Sequence, residues 1–397
     1  MFTIIKFNTK RAILIIIALL VTVITLIGCS NTMVGNLTAF KKLNEGEYLV
    51  CFSKEFTKPA KFVVYKQNGR IVEQGYVKDG QALHCLEPFS GNYIVTSKRT
   101  NHHFIIDSQG NISSIYLLKE KYKPDSGFGT FFTLSSNNWL LYAMNIGDFG
   151  EGYINELIYQ NGLNGKKQSI DLKGCLLNSA IVFENKIYAH YFNVDDTVKH
   201  SGGIYVIDIS TNLIVNKIPI YRKSLSLLQG KPIKVYNDYL ILYGYNSDIN
   251  PENDKKDPCL SIFNMKTNKF EKEITFEESF HPIALEIFNN KIYVIGDNAK
   301  VKMLNYKYDI INEFYLSDKV LEDKYLECGG FIDKTIINGS ELHVFYRFTY
   351  DSKNIQFPGA VHVYNIETGK LKRITELRLN DEKDWWGEQI AVTLIKK

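Results

Sequence analysis

The chain has 397 residues with 47 Lys+Arg against 43 Asp+Glu, a formal net charge of +4. Removing Lys6, Lys10 and Arg11 leaves 44 basic against 43 acidic residues, a balance that gives no electrostatic case for a nucleic-acid partner. Tyr (25) and Phe (24) are abundant and Pro (9) is scarce, and no long window keeps a helical period.

The first element is a targeting segment. Behind the three basic residues, Ala12 to Gly28 carries no charge and only Thr22 and Thr25 as polar interruptions, and Leu26-Ile27-Gly28-Cys29 closes the run with a small residue before a cysteine. This resembles bacterial lipoprotein signal peptides. The resemblance implies that Cys29 is the lipidation residue, carrying a diacylglycerol thioether, and that cleavage of residues 1–28 leaves it first in the mature chain. An uncleaved anchor helix is the alternative reading, because these 17 residues lie at the lower edge of the roughly 17 to 25 that span a bilayer. Both readings tether the body outside the cytoplasmic membrane, since the basic start stays inside. Two or more acyl chains give a stable anchor. Residues 29–46 then form a lipid-anchored tether.

From residue 47 to 397 the chain reads as one all-β domain built from a recurring unit: an entering apolar strand, a second strand, a variable loop, a third strand, a tight polar turn and a fourth strand. The third strand, turn and fourth strand recur seven times. The spans are Phe62 to Val77, Phe104 to Leu118, Ile154 to Leu172, Ile204 to Ile220, Leu260 to Phe276, Val301 to Leu316 and Val361 to Leu377. Asn and Gly at the turns tolerate positive φ cheaply, and the flanking Val, Ile and Tyr suit a pleated surface. Seven units over 351 residues give roughly 50 residues each, the length of a four-stranded propeller blade; six or eight blades remain open.

Ile204 to Ile220, with Asp208-Ile209-Ser210-Thr211-Asn212 at its centre, resembles the YVTN-type propeller repeat, and the spans from Leu260 and Val361 are similar but weaker. The resemblance implies a seven-bladed β-propeller. The first unit lacks an inner strand while Gly387 to Ile395 is one strand too many, so the C-terminal strand is expected to complete the first blade and latch the ring, with Trp385 and Trp386 packing at the seam.

Loops between second and third strands share a face with the interblade connections, and four of them are long: Asn145 to Gly152, Asn193 to Gly203, Asn246 to Pro258 and Thr349 to Gly359. Recognition is expected on this long-loop face. Its candidate ligand-binding residues are Asp148, Asp195, Asp196, His200, Asp248, Asp254, Asp257, His281, Tyr350 and Asp351. Asp248 to Asp254 spaces oxygen ligands every second residue but lacks the glycine and distal glutamate of an EF-hand, so a solvated loop is expected rather than a calcium site. His84, His102 and His103 fall near the same face, whereas His190, His343 and His362 sit in strand patterns.

Once Cys29 is set aside, Cys51, Cys85, Cys175, Cys259 and Cys328 form an odd number with no CxxC spacing, and a small buried thiol is the simplest reading of most of them. A Cys51–Cys85 disulfide is the alternative for that pair. Glu367 to Lys370 is similar to quinoprotein dehydrogenases, but the tryptophan those enzymes carry in every blade is missing, and no Gly-x-Ser-x-Gly elbow or phosphate-cradling glycine loop is present. No catalytic residue, metal or cofactor is therefore assigned. The expected function is that of a cell-envelope lipoprotein, held to the membrane by lipid on Cys29, whose propeller is a non-catalytic binding or scaffold module for an envelope protein, peptide or glycan. A lactonase-like hydrolase with its site at the channel mouth is the alternative.

Overall fold

The computed structural model describes residues 36–123, 126–148, 153–193, 202–220, 225–226, 233–247, 256–316, 324–325, 327–350, 355–379 and 389–395. Their strands form seven antiparallel sheets, and the innermost strands run in order Gln389–Leu394, Leu83–Phe89, Thr130–Ser136, Cys175–Phe183, Lys234–Tyr236, Pro282–Phe288 and Phe331–Asn338. In blades two to seven the strands of a sheet follow one another in the chain, from the axis outward. Blade one is the exception. Its inner strand is the C-terminal Gln389–Leu394, paired to Tyr48–Ser53 with Val50 opposite Val392, followed outward by Ala60–Tyr65 and Ile71–Val77. The chain is a seven-bladed β-propeller closed by its last strand, as its sequence predicts.

Seven hydrophobic clusters fill the spaces between neighbouring blades, one for each seam. The seam between blades seven and one holds Phe345, Val361 and Val363 against Tyr48, Val50, Ile390 and Val392, all at most 3% exposed, so the closing contact is as dry as the others.

The sequence signature of the outer hairpins has a local cause. An Asp or Asn ends the third strand, and its side-chain oxygen accepts hydrogen bonds from the backbone N–H groups of the turn that follows. Asp208 Oδ1 takes Ser210 N (2.9 Å) and Thr211 N (3.0 Å); Asn264 takes Lys266 N (2.9 Å) and Thr267 N (3.1 Å); Asn365 takes Glu367 N (3.1 Å) and Thr368 N (3.0 Å). The residue that leaves the turn then adopts a left-handed conformation, at Asn212 (φ 55), Asn268 (φ 54) and Gly369 (φ 69). The Asp-Ser-Thr-Asn string is thus the turn's own hydrogen-bond wiring.

Upstream of blade one, Asn36 to Gly46 crosses the outer strands of two blades. Leu37 N donates to Tyr76 O (2.7 Å), Phe40 N to Gly110 O (2.8 Å) and Ile112 N to Thr38 O (2.8 Å), while Phe40 and Leu43 are 2% exposed in the seam between blades one and two. Gly110, at φ +92, leaves Phe40 room that a Cβ would take, because that atom would lie 2.3 Å from Phe40 O.

Among the described residues Cys85 is half-buried and Cys51, Cys175, Cys259 and Cys328 are buried, and Cys51 and Cys85 are not joined.

Candidate site along the propeller axis

Each inner strand is the terminal strand of its sheet, so one of its edges is unpaired and faces the axis. A cavity of about 940 Å³ runs along that axis and is lined by all seven blades, from Asp333, Arg347 and Gln389 at the long-loop end to Asn338 and Ile395 at the tight-turn end. Inner-strand backbone groups and a few side chains therefore set its chemistry.

Among the described residues five inner strands carry a β-bulge at the same height, near the long-loop end. The extra residues are His84, Phe131, Asn178, Ile283 and Asp333, in blades two, three, four, six and seven. A bulge leaves one residue out of the ladder and re-aims its side chain. Three of the five, His84, Phe131 and Asp333, line the cavity. His84 stands with Nδ1 3.2 Å from Thr96 O and Nε2 3.2 Å from Phe131 O. A neutral imidazole has one N–H and serves only one of these carbonyls. Burial lowers its pKa despite both carbonyls and Asp333, which act to raise it.

Below the bulges a polar girdle joins neighbouring blades. Lys234 Nζ of blade five pairs with Glu286 Oε2 of blade six at 3.1 Å, and Thr335 Oγ1 of blade seven donates to Glu286 Oε1 at 2.7 Å. Lys334 of blade seven reaches past blade one and donates from Nζ to Val392 O and to Leu86 O of blade two, both at 3.2 Å. On blade two, Glu87 Oε1 accepts from Ser135 N (3.0 Å) and Ser135 Oγ (2.5 Å) of blade three. The girdle stops there. From blade three to blade five the wall carries Leu134, Ala180, Ile181 and Ile233 beside Thr133 and Ser135, so apolar side chains predominate on that side of the chamber.

Of the candidate residues from the sequence, Cys29, Asp195, Asp196, His200, Asp248, Asp254 and Asp351 lie outside the described residues, as do Trp385 and Trp386. Asp148 and Asp257 are strand residues rather than loop residues. The second and third strands of blades three and five extend to the pairs Asp148–Tyr153 and Ser247–Lys256, because ladder pairing satisfies the backbone whatever the side chains are. His281 lies on the connection from blade five to blade six, with Nδ1 3.4 Å from Asp297 Oδ2 and Nε2 2.8 Å from Glu278 O. Tyr350 is 52% exposed beside the loop of blade seven, its N–H donating to Cys328 O. His281 and Tyr350 stand on different blades of the expected face. Among the described residues no group of three or more His, Cys, Asp or Glu is placed to hold a metal ion.

The girdle residues were missed in the sequence because a charge in a short strand reads as a solvent-facing position. A usable signal exists in hindsight: Leu86-Glu87-Pro88, Ile233-Lys234-Val235, Leu285-Glu286-Ile287 and Asp333-Lys334-Thr335 are the charges that interrupt the first strand of a unit.

No protein-family model matches the chain. No curated protein matches it either. Similar solved structures are apo AztD from Citrobacter koseri (10% identity, 88% of this chain and 98% of that one, TM-score 0.47) and the computationally designed Ika8 protein (11%, 91% and 98%, 0.47). BamB from Moraxella catarrhalis is a third (11%, 71% and 90%, 0.41). Likeness at this level carries no ligand or activity across. The seven sheets, their seven seams and the C-terminal closing strand are what make the chain a seven-bladed β-propeller.

Proposed function

We propose that this chain is an envelope lipoprotein, anchored on the outer side of the cytoplasmic membrane through lipid on Cys29, with residues 1–28 as signal peptide and 29–46 as tether. Its propeller, residues 47–397, acts as a binding or scaffold module for an envelope protein, peptide or glycan on the long-loop face. One observation supports the reading: the strand ends that the longest loops join, the bulged mouth of the channel and Asn36 all lie at one end of the ring. Asn36 Oδ1 accepts from Lys78 N at 3.1 Å, at the long-loop end of the outer strand of blade one. The test is a pull-down from intact membranes, comparing the full chain with a variant in which Asn246 to Pro258 is cut to a tight turn. Loss of partners from the variant supports the reading, and an unchanged partner set sinks the choice of face. Cys29→Ser tests the anchor separately: metabolic acyl labelling and membrane fractionation should both be lost, and unaffected fractionation overturns the lipid assignment.

A further inference from the structure

The girdle leaves two opposite charges of the channel wall without an ionic partner among the described residues. Lys234 and Glu286 neutralise each other, but Lys334 Nζ is held by two neutral backbone carbonyls and Glu87 by the N–H and hydroxyl of Ser135. Each keeps unused capacity. An ammonium has three N–H donors, of which Lys334 spends two; a carboxylate has two oxygens, and Ser135 occupies only Oε1 of Glu87. The two charges are also adjacent, because the Leu86 carbonyl that holds Lys334 belongs to the peptide group joining Leu86 to Glu87. The neighbouring Cys85 thiol registers both: burial pushes it up to about 11, Glu87 adds to the rise and Lys334 opposes it.

We propose that this waist of the channel binds a small zwitterion of the α-amino-acid class, its carboxylate on Lys334 and its ammonium on Glu87. Their place on either side of one peptide group favours two charges carried on one carbon, since the free termini of an extended di- or tripeptide stand about 7 to 10 Å apart. The unpaired edges of the inner strands supply further N–H and C=O groups for the same head. The apolar side chains of Leu134, Ala180, Ile181 and Ile233, which predominate on the facing side, favour a hydrocarbon side chain as the remainder of the ligand. A simple carboxylic acid would meet Glu87 as a like charge, and a simple amine would meet Lys334; only a zwitterion satisfies both. The cavity exceeds one amino acid, so waters fill the rest of the axis. This inference is independent of the long-loop face and of Cys29, and loss or retention of partners in the pull-down does not bear on it.

The test is a thermal-shift and calorimetric titration of the full chain with pooled free L-amino acids at millimolar concentration, beside the same pool N-acetylated and the same pool as C-terminal amides. The free pool is expected to bind and each capped pool to bind about 10- to 100-fold more weakly, the range for losing a hydrogen bond to a charged group. Glu87→Gln, which keeps an acceptor for Ser135, and Lys334→Gln should each reduce the affinity by a similar factor. Lys334→Arg, which keeps the charge, should lose less and serves as the folding control. No binding of the free pool by the wild-type chain overturns the proposal, as does equal binding of free and capped pools; neither result depends on whether a variant folds.

Discussion

Among the described residues four histidines are almost completely buried with a strongly lowered pKa, and acid should unfold the chain through them. His103, His190, His343 and His362 are at most 2% exposed, and burial, first among the causes at each, lowers their pKa from 6.5 to about 3, 3, 4 and 3. Arg373 adds to the depression at His343. Their hydrogen bonds agree with the neutral form. His103 Nδ1 accepts from Ser97 N at 3.0 Å, so it carries no proton; His362 sits between Tyr364 Oη at 3.0 Å and Tyr325 Oη; His343 Nδ1 meets Tyr48 Oη at 3.0 Å. His190 finds no hydrogen-bond partner for either ring nitrogen among the described residues.

In the unfolded chain each ring titrates near 6.5, so the unfolded state takes up protons that the folded state refuses as pH falls. The stability these residues confer is complete above 6.5 and drains away between 6.5 and the folded values of 3 to 4, at about 1.4 kcal/mol per pH unit for each. Between pH 7 and pH 5 that comes to about 2 kcal/mol per histidine and about 8 kcal/mol for the four, comparable to the whole stability of a typical domain. At pH 5 the sum is insensitive to whether a folded value is 3 or 4, because both lie well below. Carboxylates with lowered pKa, such as Glu277 held at about 2, although burial alone would raise it, by Lys302 and Lys300, give way only below 4.5. They fall outside the window. Urea unfolding followed by tryptophan fluorescence at pH 7, 6 and 5 should show the fall, and His190→Met should recover about 2 kcal/mol of it at pH 5 because methionine does not titrate. Equal stability at pH 7 and pH 5, or a His190→Met variant as acid-sensitive as the wild type, would falsify the assignment of these rings as buried and neutral.

Two other outcomes follow from the closure and from the chain that precedes it. Val392→Asp places a carboxylate in the dry seam between blades seven and one, where Val392 is 3% exposed, and should cost more than about 4 kcal/mol; circular dichroism melts that match the wild type would show that the last strand is not needed to hold the ring. Gly110→Ala forces a Cβ toward Phe40 O at a backbone φ of +92, and about 1 to 3 kcal/mol of strain should be relieved by release of the segment before blade one. Hydrogen exchange at the amides of Phe40 and Ile112 reads this directly, and unchanged protection there would refute it.

The ring itself was legible because its information is local. Asp208, Asn264 and Asn365 wire their own turns, so each outer hairpin announces itself within a dozen residues, and the surplus strand at Gly387 to Ile395 could be matched to the deficit at Tyr48 by counting. The channel was not legible because its information is long-range. Lys334 meets the carbonyl of Leu86 across 248 positions of sequence, and nothing in Asp-Lys-Thr says whether that strand is the first or the last of its sheet. The bulges at His84, Phe131 and Asp333 also break the simple alternation by which strand faces are read. A charge within a first strand marks the axis here.

The crossing of Asn36 to Gly46 over blades one and two also decides how the molecule bears tension. A pull from upstream meets the bonds from Leu37 to Tyr76, from Ile112 to Thr38 and from Phe40 to Gly110, with the side chains of Phe40 and Leu43 wedged behind them, before any force reaches Tyr48. Those stitches hold the outermost strands of two blades, so the load is divided at the rim. The closing strand sits at the axis, on the far side of its sheet, and a molecule dragged by its leading end would come unsewn along one flank long before the ring was asked to open.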